Sequence, residues 1–215
     1  MYKTVFLDRD GTINEEVRYL HKAEDFKLLP RVAEAIRLWN ENGFRVVVVT
    51  NQAGVARGYY REEDVIRLHQ YMEQLLAGMG ARIDGCYYCP HHPEHGIGPY
   101  KVNCRCRKPG TGMFEQADAA FPVDKAHSYM IGDKWLDTQA GANFGLKTVL
   151  VGTGYGRELY EERKRKEDKE SKEDRENKED QAAEVMDYFA ETLYDAALWI
   201  LRQENLSVPA DSGRV

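Results

Sequence analysis

Residues 44–50 contain four consecutive valines, Val46 to Val49, and a run without alternation suits a strand that is buried on both faces. Burial of both faces requires helices on both sides of a sheet, which points to the α/β class. Just upstream, residues 30–42 place Val32, Ala35, Ile36 and Trp39 at helical spacing, with Pro30 at the start and Gly43 past the end. The apolar stretch 3–8 ahead of this helix reads as a first strand. The alternation continues with a helix over 61–78, a strand over 83–89 and a helix over 112–120. A strand over 128–132, a helix over 137–143 and a strand over 146–152 follow. About five strands alternating with helices predict a doubly wound, mainly parallel, Rossmann-like sheet.

In such a sheet ligands bind beyond the carboxyl ends of the strands. Asp8 and Asp10, then Thr50 and Asn51, then Asp133 each fall at or just after such an end. Three distant segments are therefore expected to meet at one place. Carboxylates from Asp8 and Asp133, with the backbone carbonyl of Asp10, offer the hard oxygen ligands that Mg2+ prefers. With that ion bound, Asp8 could act as a nucleophile towards phosphorus and Asp10 as a general acid and base. Thr50 and Lys108 would supply donors and positive charge to the phosphoryl oxygens. Asp137 is one helical turn past Asp133, where it could order metal waters, orient Lys108, or simply complement a helix dipole.

A second cluster comprises Cys89-Pro90-His91-His92 and Cys104-Arg105-Cys106, two close pairs of soft ligands separated by a loop. Cys89, His91, Cys104 and Cys106 are the expected tetrahedral ligands of a structural Zn2+ that would pin the loop 89–106 carrying Arg107 and Lys108. Cys86, three residues from Cys89 on a strand, points to the opposite face and reads as a small core residue.

Together the motifs Asp8-Arg9-Asp10-Gly11-Thr12, Thr50, Lys108 and Gly132-Asp133 with Asp137 resemble the four motifs of the haloacid dehalogenase (HAD) superfamily of phosphatases. The stretches 8–14, 49–58, 87–93 and 104–109 are more narrowly similar to the D-glycero-D-manno-heptose 1,7-bisphosphate 7-phosphatase family. That resemblance covers about residues 3–154 and implies a zinc loop with no large cap domain. It also implies substrate contacts from Glu16, Val17, Arg18 and Tyr19, from Thr50, Asn51, Gln52 and Ala53, and from Arg107, Lys108 and Lys134. A bisphosphate needs a second anion site, for which Arg107 is the first candidate, ahead of Arg18, Arg57 and Lys134. Histidinol-phosphate phosphatase is the alternative within the superfamily, with Glu16 as an ammonium partner. A partner-binding scaffold is the alternative outside enzymes.

Residues 1–157 form the expected catalytic domain. Residues 158–180, with eight Lys/Arg against eleven Asp/Glu, are expected to be a charged helical or disordered insertion. An amphipathic helix over 181–206 and a fraying tail over 207–215 complete the chain. A net charge of −6 over 215 residues favours neither nucleic acid nor an anionic membrane as a partner. The chain has no membrane-length apolar run, meets an acidic residue too early for a secretory signal, and clusters its cysteines. We therefore expect a cytoplasmic protein, acting as a monomer on a small phosphorylated sugar.

Overall fold

The computed structural model describes residues 1–169 and 185–209. Its sheet has six parallel strands: β1 (Thr4–Leu7), β2 (Arg45–Asn51), β3 (Gly85–Cys89), β4 (Tyr129–Gly132), β5 (Lys147–Val151) and β6 (Tyr188–Ala190), in the order β3-β2-β1-β4-β5-β6. The chain winds outward from β1 to β3, then returns to β4 on the other side of β1. The switch point thus lies between β1 and β4, and the crevice at their carboxyl ends is where the topology places a ligand.

Alternate residues of the central strands feed two separate cores. Val5, Leu7, Val46, Val48 and Ile131 pack on one face against Ile36 and Trp39 of α1 (Val32–Glu41) and Leu68, Met72 and Leu76 of α3 (Glu62–Gly78). Phe6, Val47, Val49 and Met130 pack on the other against Met113, Phe114 and Ala117 of α4 (Gly112–Ala120) and Phe144 of α5 (Trp135–Phe144). Each such fully buried side chain contributes about 1.5–3 kcal/mol relative to exposure. The valine run is apolar throughout because both of its faces are covered. A single turn, α2 (Ala53–Ala56), follows β2 directly. Among the described residues no cap domain covers the carboxyl edge of the sheet.

The carboxyl-terminal expectation needs correction. Of the helix anticipated over 181–206, residues 181–184 lie outside the described residues; among those described the helix is α7 (Leu193–Gln203), while Tyr188–Ala190 forms β6 beside β5. Apolar spacing of four residues runs through both elements, but Thr192 stops the helix from extending backwards. Its Oγ1 accepts the Asp195 N–H at 3.1 Å and its own N–H donates to Asp195 Oδ2 at 3.1 Å, a reciprocal cap. Of the charged stretch, residues up to Lys169 form α6 (Gly156–Lys169), with Arg163–Glu167 and Lys166–Glu162 ion pairs one turn apart. Its remainder, 170–180, lies outside the described residues, as do positions 210–215 of the tail. No described helix is long and apolar enough to cross a membrane.

Candidate active site

Asp8 follows β1 and is tied to its neighbour strand by an N–H donated to Ile131 O at 2.9 Å. Lys108 reaches it from the loop before α4. Lys108 is 2 % exposed; its ammonium donates to Asp8 Oδ1 at 2.8 Å and Val49 O at 2.7 Å, and lies 2.7 Å from Asp137 Oδ1. Burial works against its charge, but Asp137 and Asp8 outweigh burial and hold it above the usual lysine range.

Carboxylate oxygens of Asp8, Asp133 and Asp137 lie within 4.8 Å of one another, all buried. Asp133 Oδ2 accepts the Tyr155 N–H at 3.0 Å, whereas Oδ1 has no hydrogen-bond donor and only Lys134 Nζ at 3.5 Å. Burial first, then the Asp137 and Asp8 charges, push the Asp133 carboxyl up to about 8 against the pull of Lys134. Burial likewise lifts Asp137 to about 6 although Lys108 opposes it. Crowded carboxylates with one oxygen lacking a donor are the donor set of a hard divalent cation, so the residues fit Mg2+.

Asp10 is held differently. Arg9, wholly buried, grips it through Nε at 3.1 Å and Nη2 at 2.8 Å, Asn14 donates at 3.0 Å, and Gln52 Nε2 donates at 3.1 Å. Burial opposes the carboxylate, but Arg9 and these amides prevail and hold its pKa below the usual range. The Asp10 carboxylate therefore stands outside the three-aspartate cluster.

Asp8, Asp10, Lys108 and Asp137 line a cavity of about 290 Å³, while Asp133 lies behind its wall among the buried residues. Thr50, Asn51, Gln52 and Ala53 form one wall, and Arg18, Tyr19, Arg107 and Lys134 reach it from three loops. Lys134 pairs with Glu16 at 3.0 Å, and Arg107 Nη1 donates to His91 O at 3.2 Å.

In the cysteine loop, ligand atoms of Cys89, His91 and Cys104 lie within 4.8 Å of one another. Cys106 adjoins that group: its thiol interacts with that of Cys104 and its N–H donates to Cys104 Sγ at 3.4 Å, while Gln116 Nε2 donates to its Sγ at 3.2 Å. All four cysteines are free thiols. Cys86 packs against the core and points its thiol to Glu73 at 3.2 Å.

Comparison with known proteins accords with this geometry. Residues 105–196 match the HAD-hydrolase-like family. The chain is 45% identical over 164 residues to a D-glycero-beta-D-manno-heptose-1,7-bisphosphate 7-phosphatase of Haemophilus ducreyi, spanning 75% of this chain and 90% of that one. The chain belongs to the heptose-1,7-bisphosphate 7-phosphatase family. An alpha-anomer phosphatase of Burkholderia mallei is 46% identical over 149 residues, covering 69% of this chain and 79% of that one. Among solved structures, D,D-heptose 1,7-bisphosphate phosphatase of B. bronchiseptica, complexed with magnesium and phosphate, superimposes with a TM-score of 0.74 at 29% identity. The match covers 94% of this chain and 99% of that one.

One expected substrate contact sits elsewhere. Val17 is exposed and does not line the cavity. Asn51 faces the cavity but its amide is engaged with the Lys108 backbone, donating to Lys108 O at 3.2 Å and accepting the Lys108 N–H at 3.1 Å. Its visible work is to fix the residue that carries the ammonium. Gly54, Tyr60 and Leu136 line the cavity without having been singled out in the sequence. Arg9 was visible inside the Asp-x-Asp motif, where a long cation between two aspartates has Asp10 within reach.

Proposed function

We propose that this protein removes the 7-phosphate of D-glycero-D-manno-heptose 1,7-bisphosphate through an aspartyl phosphate on Asp8. The observation that carries the mechanism is the buried Lys108 ammonium bridging Asp8 and Asp137 on the floor of the cavity. With Oδ1 engaged by Lys108, Oδ2 of Asp8 is the attacking atom. It forms a bond to phosphorus as the bond from phosphorus to the sugar oxygen breaks, and Asp10 delivers a proton to that oxygen. Asp10 then takes a proton from the water that hydrolyses the acyl phosphate. The donors around Asp10 favour its ionised form, which is the one that activates water. Acid duty therefore requires it to take up a proton before the alcohol leaves. Thr50 donates to the phosphoryl group, and Lys108 compensates its charge.

Asp8 and Asp133, with the Asp10 carbonyl, would hold magnesium, which when bound lowers the repulsion between carboxylate and phosphate. Asp137 is already committed, with Oδ1 against Lys108 and Oδ2 accepting the Lys134 N–H at 3.1 Å, so its role is to position Lys108. Arg107, with Arg18 and Lys134, would receive the second phosphate, and the remaining rim residues Glu16, Tyr19, Gln52 and Ala53 would meet the sugar. Cys89, His91 and Cys104 would ligate structural zinc. Cys106 would complete the tetrahedron by turning its Sγ away from Gln116.

Phosphate release with magnesium from both heptose 1,7-bisphosphate anomers, fructose 1,6-bisphosphate and histidinol phosphate tests the reading. Selectivity for a heptose bisphosphate is expected. Preference for histidinol phosphate would keep the mechanism and overturn the substrate.

A further inference from the structure

Gln52 is the hinge of a buried polar chain that no catalytic step so far has used. Its Nε2 donates both to Asp10 Oδ2 at 3.1 Å and to Thr50 Oγ1 at 3.0 Å, while its Oε1 accepts the Tyr60 hydroxyl at 2.7 Å. A side-chain amide has two orientations of nearly equal shape, and only one of them offers N–H groups to Asp10 and Thr50. The other would set Oε1 against the Asp10 carboxylate, placing two acceptors face to face in a buried site. What selects the productive orientation is a donor at Oε1, and Tyr60 is that donor.

Tyr60 is itself over-determined. Its ring stacks on His21 with centroids 5.1 Å apart and planes 13° from parallel. It also lies against Gly54 so closely that a Cβ at position 54 would overlap the ring and its hydroxyl. Burial pushes the Tyr60 hydroxyl up to about 12, so it keeps its proton and its role as donor through the neutral range. Gln52 and Tyr60 are both buried, and the segment that carries Tyr60 is α2 and the turn following it.

We infer that Tyr60 is a positioning residue: through Gln52 it fixes the direction in which the Asp10 carboxyl and the Thr50 hydroxyl face the reacting phosphate. Tyr60 makes no hydrogen bond to either of those groups, and its effect passes through the amide. The inference rests on Asp10 being the acid that protonates the leaving oxygen, as proposed above.

Tyr60→Phe keeps the ring and removes only the hydroxyl. If Tyr60 positions the acid, the loss must depend on how badly the leaving group needs a proton. For the heptose bisphosphate, whose leaving alkoxide needs one, kcat/KM should fall about tenfold, with KM changed less than about twofold, as one misdirected acid–base group implies. For an aryl phosphate with a strongly acidic phenol as leaving group, the loss should be at least about five times smaller. A variant that merely folds less well loses both activities equally, which would overturn the inference. Combining Tyr60→Phe with Gln52→Ala should cost no more than Gln52→Ala alone, and additive losses would also overturn it. Asp10→Asn, measured on the same two substrates, separates this inference from the mechanism beneath it. A leaving-group contrast in Asp10→Asn without one in Tyr60→Phe sinks the positioning role alone. No contrast in Asp10→Asn sinks the assignment of the acid, and the positioning role with it.

Discussion

Replacing Asp133 with asparagine should abolish turnover and yet make the magnesium-free protein more stable. Asp133 is wholly buried, lies within 4.8 Å of two further carboxylates, and is pushed from an ordinary value of 3.8 up to about 8. A carboxyl whose pKa rises on folding binds protons more tightly in the native state. Its burden on stability therefore grows as pH climbs from about 4 to about 8. At 1.36 kcal/mol per unit, the burden is about 2 kcal/mol at pH 5 and on the order of 5 kcal/mol at pH 8. Because Asp8, Asp133 and Asp137 share protons, removing one carboxyl relieves only part of that burden, about 3 kcal/mol at pH 8. Asparagine keeps the shape: its oxygen can accept the Tyr155 N–H, and its amide can face the neighbouring carboxylates. Buried His69 is held neutral by burial and has its pKa lowered to about 3, so it tilts the pH curve the other way below pH 6.5. It does so equally in both proteins, so the difference between them isolates Asp133. Thermal unfolding of desalted protein without magnesium, at pH 5 and pH 8, gives the test. A gain of about 3 kcal/mol corresponds to a midpoint about 6–12 °C higher at pH 8, shrinking to a few degrees at pH 5. Saturating magnesium should raise the parent midpoint and leave the variant unmoved. A variant less stable than its parent at pH 8, or a gain that does not vary with pH, would refute the charge-crowding argument.

Four further substitutions probe the remaining parts. Asp8→Asn should eliminate phosphate release, and Asp10→Asn should lower it by at least ~10²-fold, both read as phosphate formed from the heptose bisphosphate. Lys108→Met should cost activity on a similar scale. It should also destabilise by about 3–5 kcal/mol in urea unfolding at pH 8, because it strands Asp8 and Asp137 without their cation. The deficit should shrink at pH 5, below the raised value of about 6 for Asp137. Cys104→Ser should release zinc, measured by elemental analysis, and loosen the loop 89–106 while the sheet stays intact; unchanged zinc content would remove Cys104 from the ligand set.

What could be read from the sequence follows from how local its physics is. Asp8, Thr50, Lys108 and Asp133 stood out because three of them end runs of apolar residues that only a buried strand explains, and Lys108 completes a known motif. Those runs needed no knowledge of the partner strands. The helix start at Thr192 was legible in principle, since Thr192 and Asp195 form a capping pair. The regular spacing of Phe189, Leu193, Ala197 and Leu201 masked it, and β6, three residues long, exists only because β5 offers it an edge. Contacts that bridge the chain were invisible. The grip of Asn51 on the Lys108 backbone spans 57 residues, and no spacing rule connects the two. The sequence shows four soft ligands but not their side-chain torsions, so the hydrogen bond from Gln116 to the Cys106 thiol was invisible in it.

Glycine accounts for how tightly the cluster closes. Gly11 at φ +83° and Gly154 at φ +54° press on the Asp133 carboxylate from two loops, and a Cβ at either position would collide with Oδ2. Thr153 Oγ1 donates to Gly11 O at 2.6 Å and clamps the loop after β5 to the loop after β1. Left-handed backbone is cheap only for glycine, so both loops can bend inward where any other residue would resist. The approach leaves Oδ2 with a backbone N–H as its donor and keeps side chains from crowding the charged cluster. The same substitution at either glycine would therefore strain the backbone and shift Asp133 together. Sheet topology brings Asp8 and Asp133 to adjacent strands, but the bare backbone of two loops sets how closely their surroundings pack.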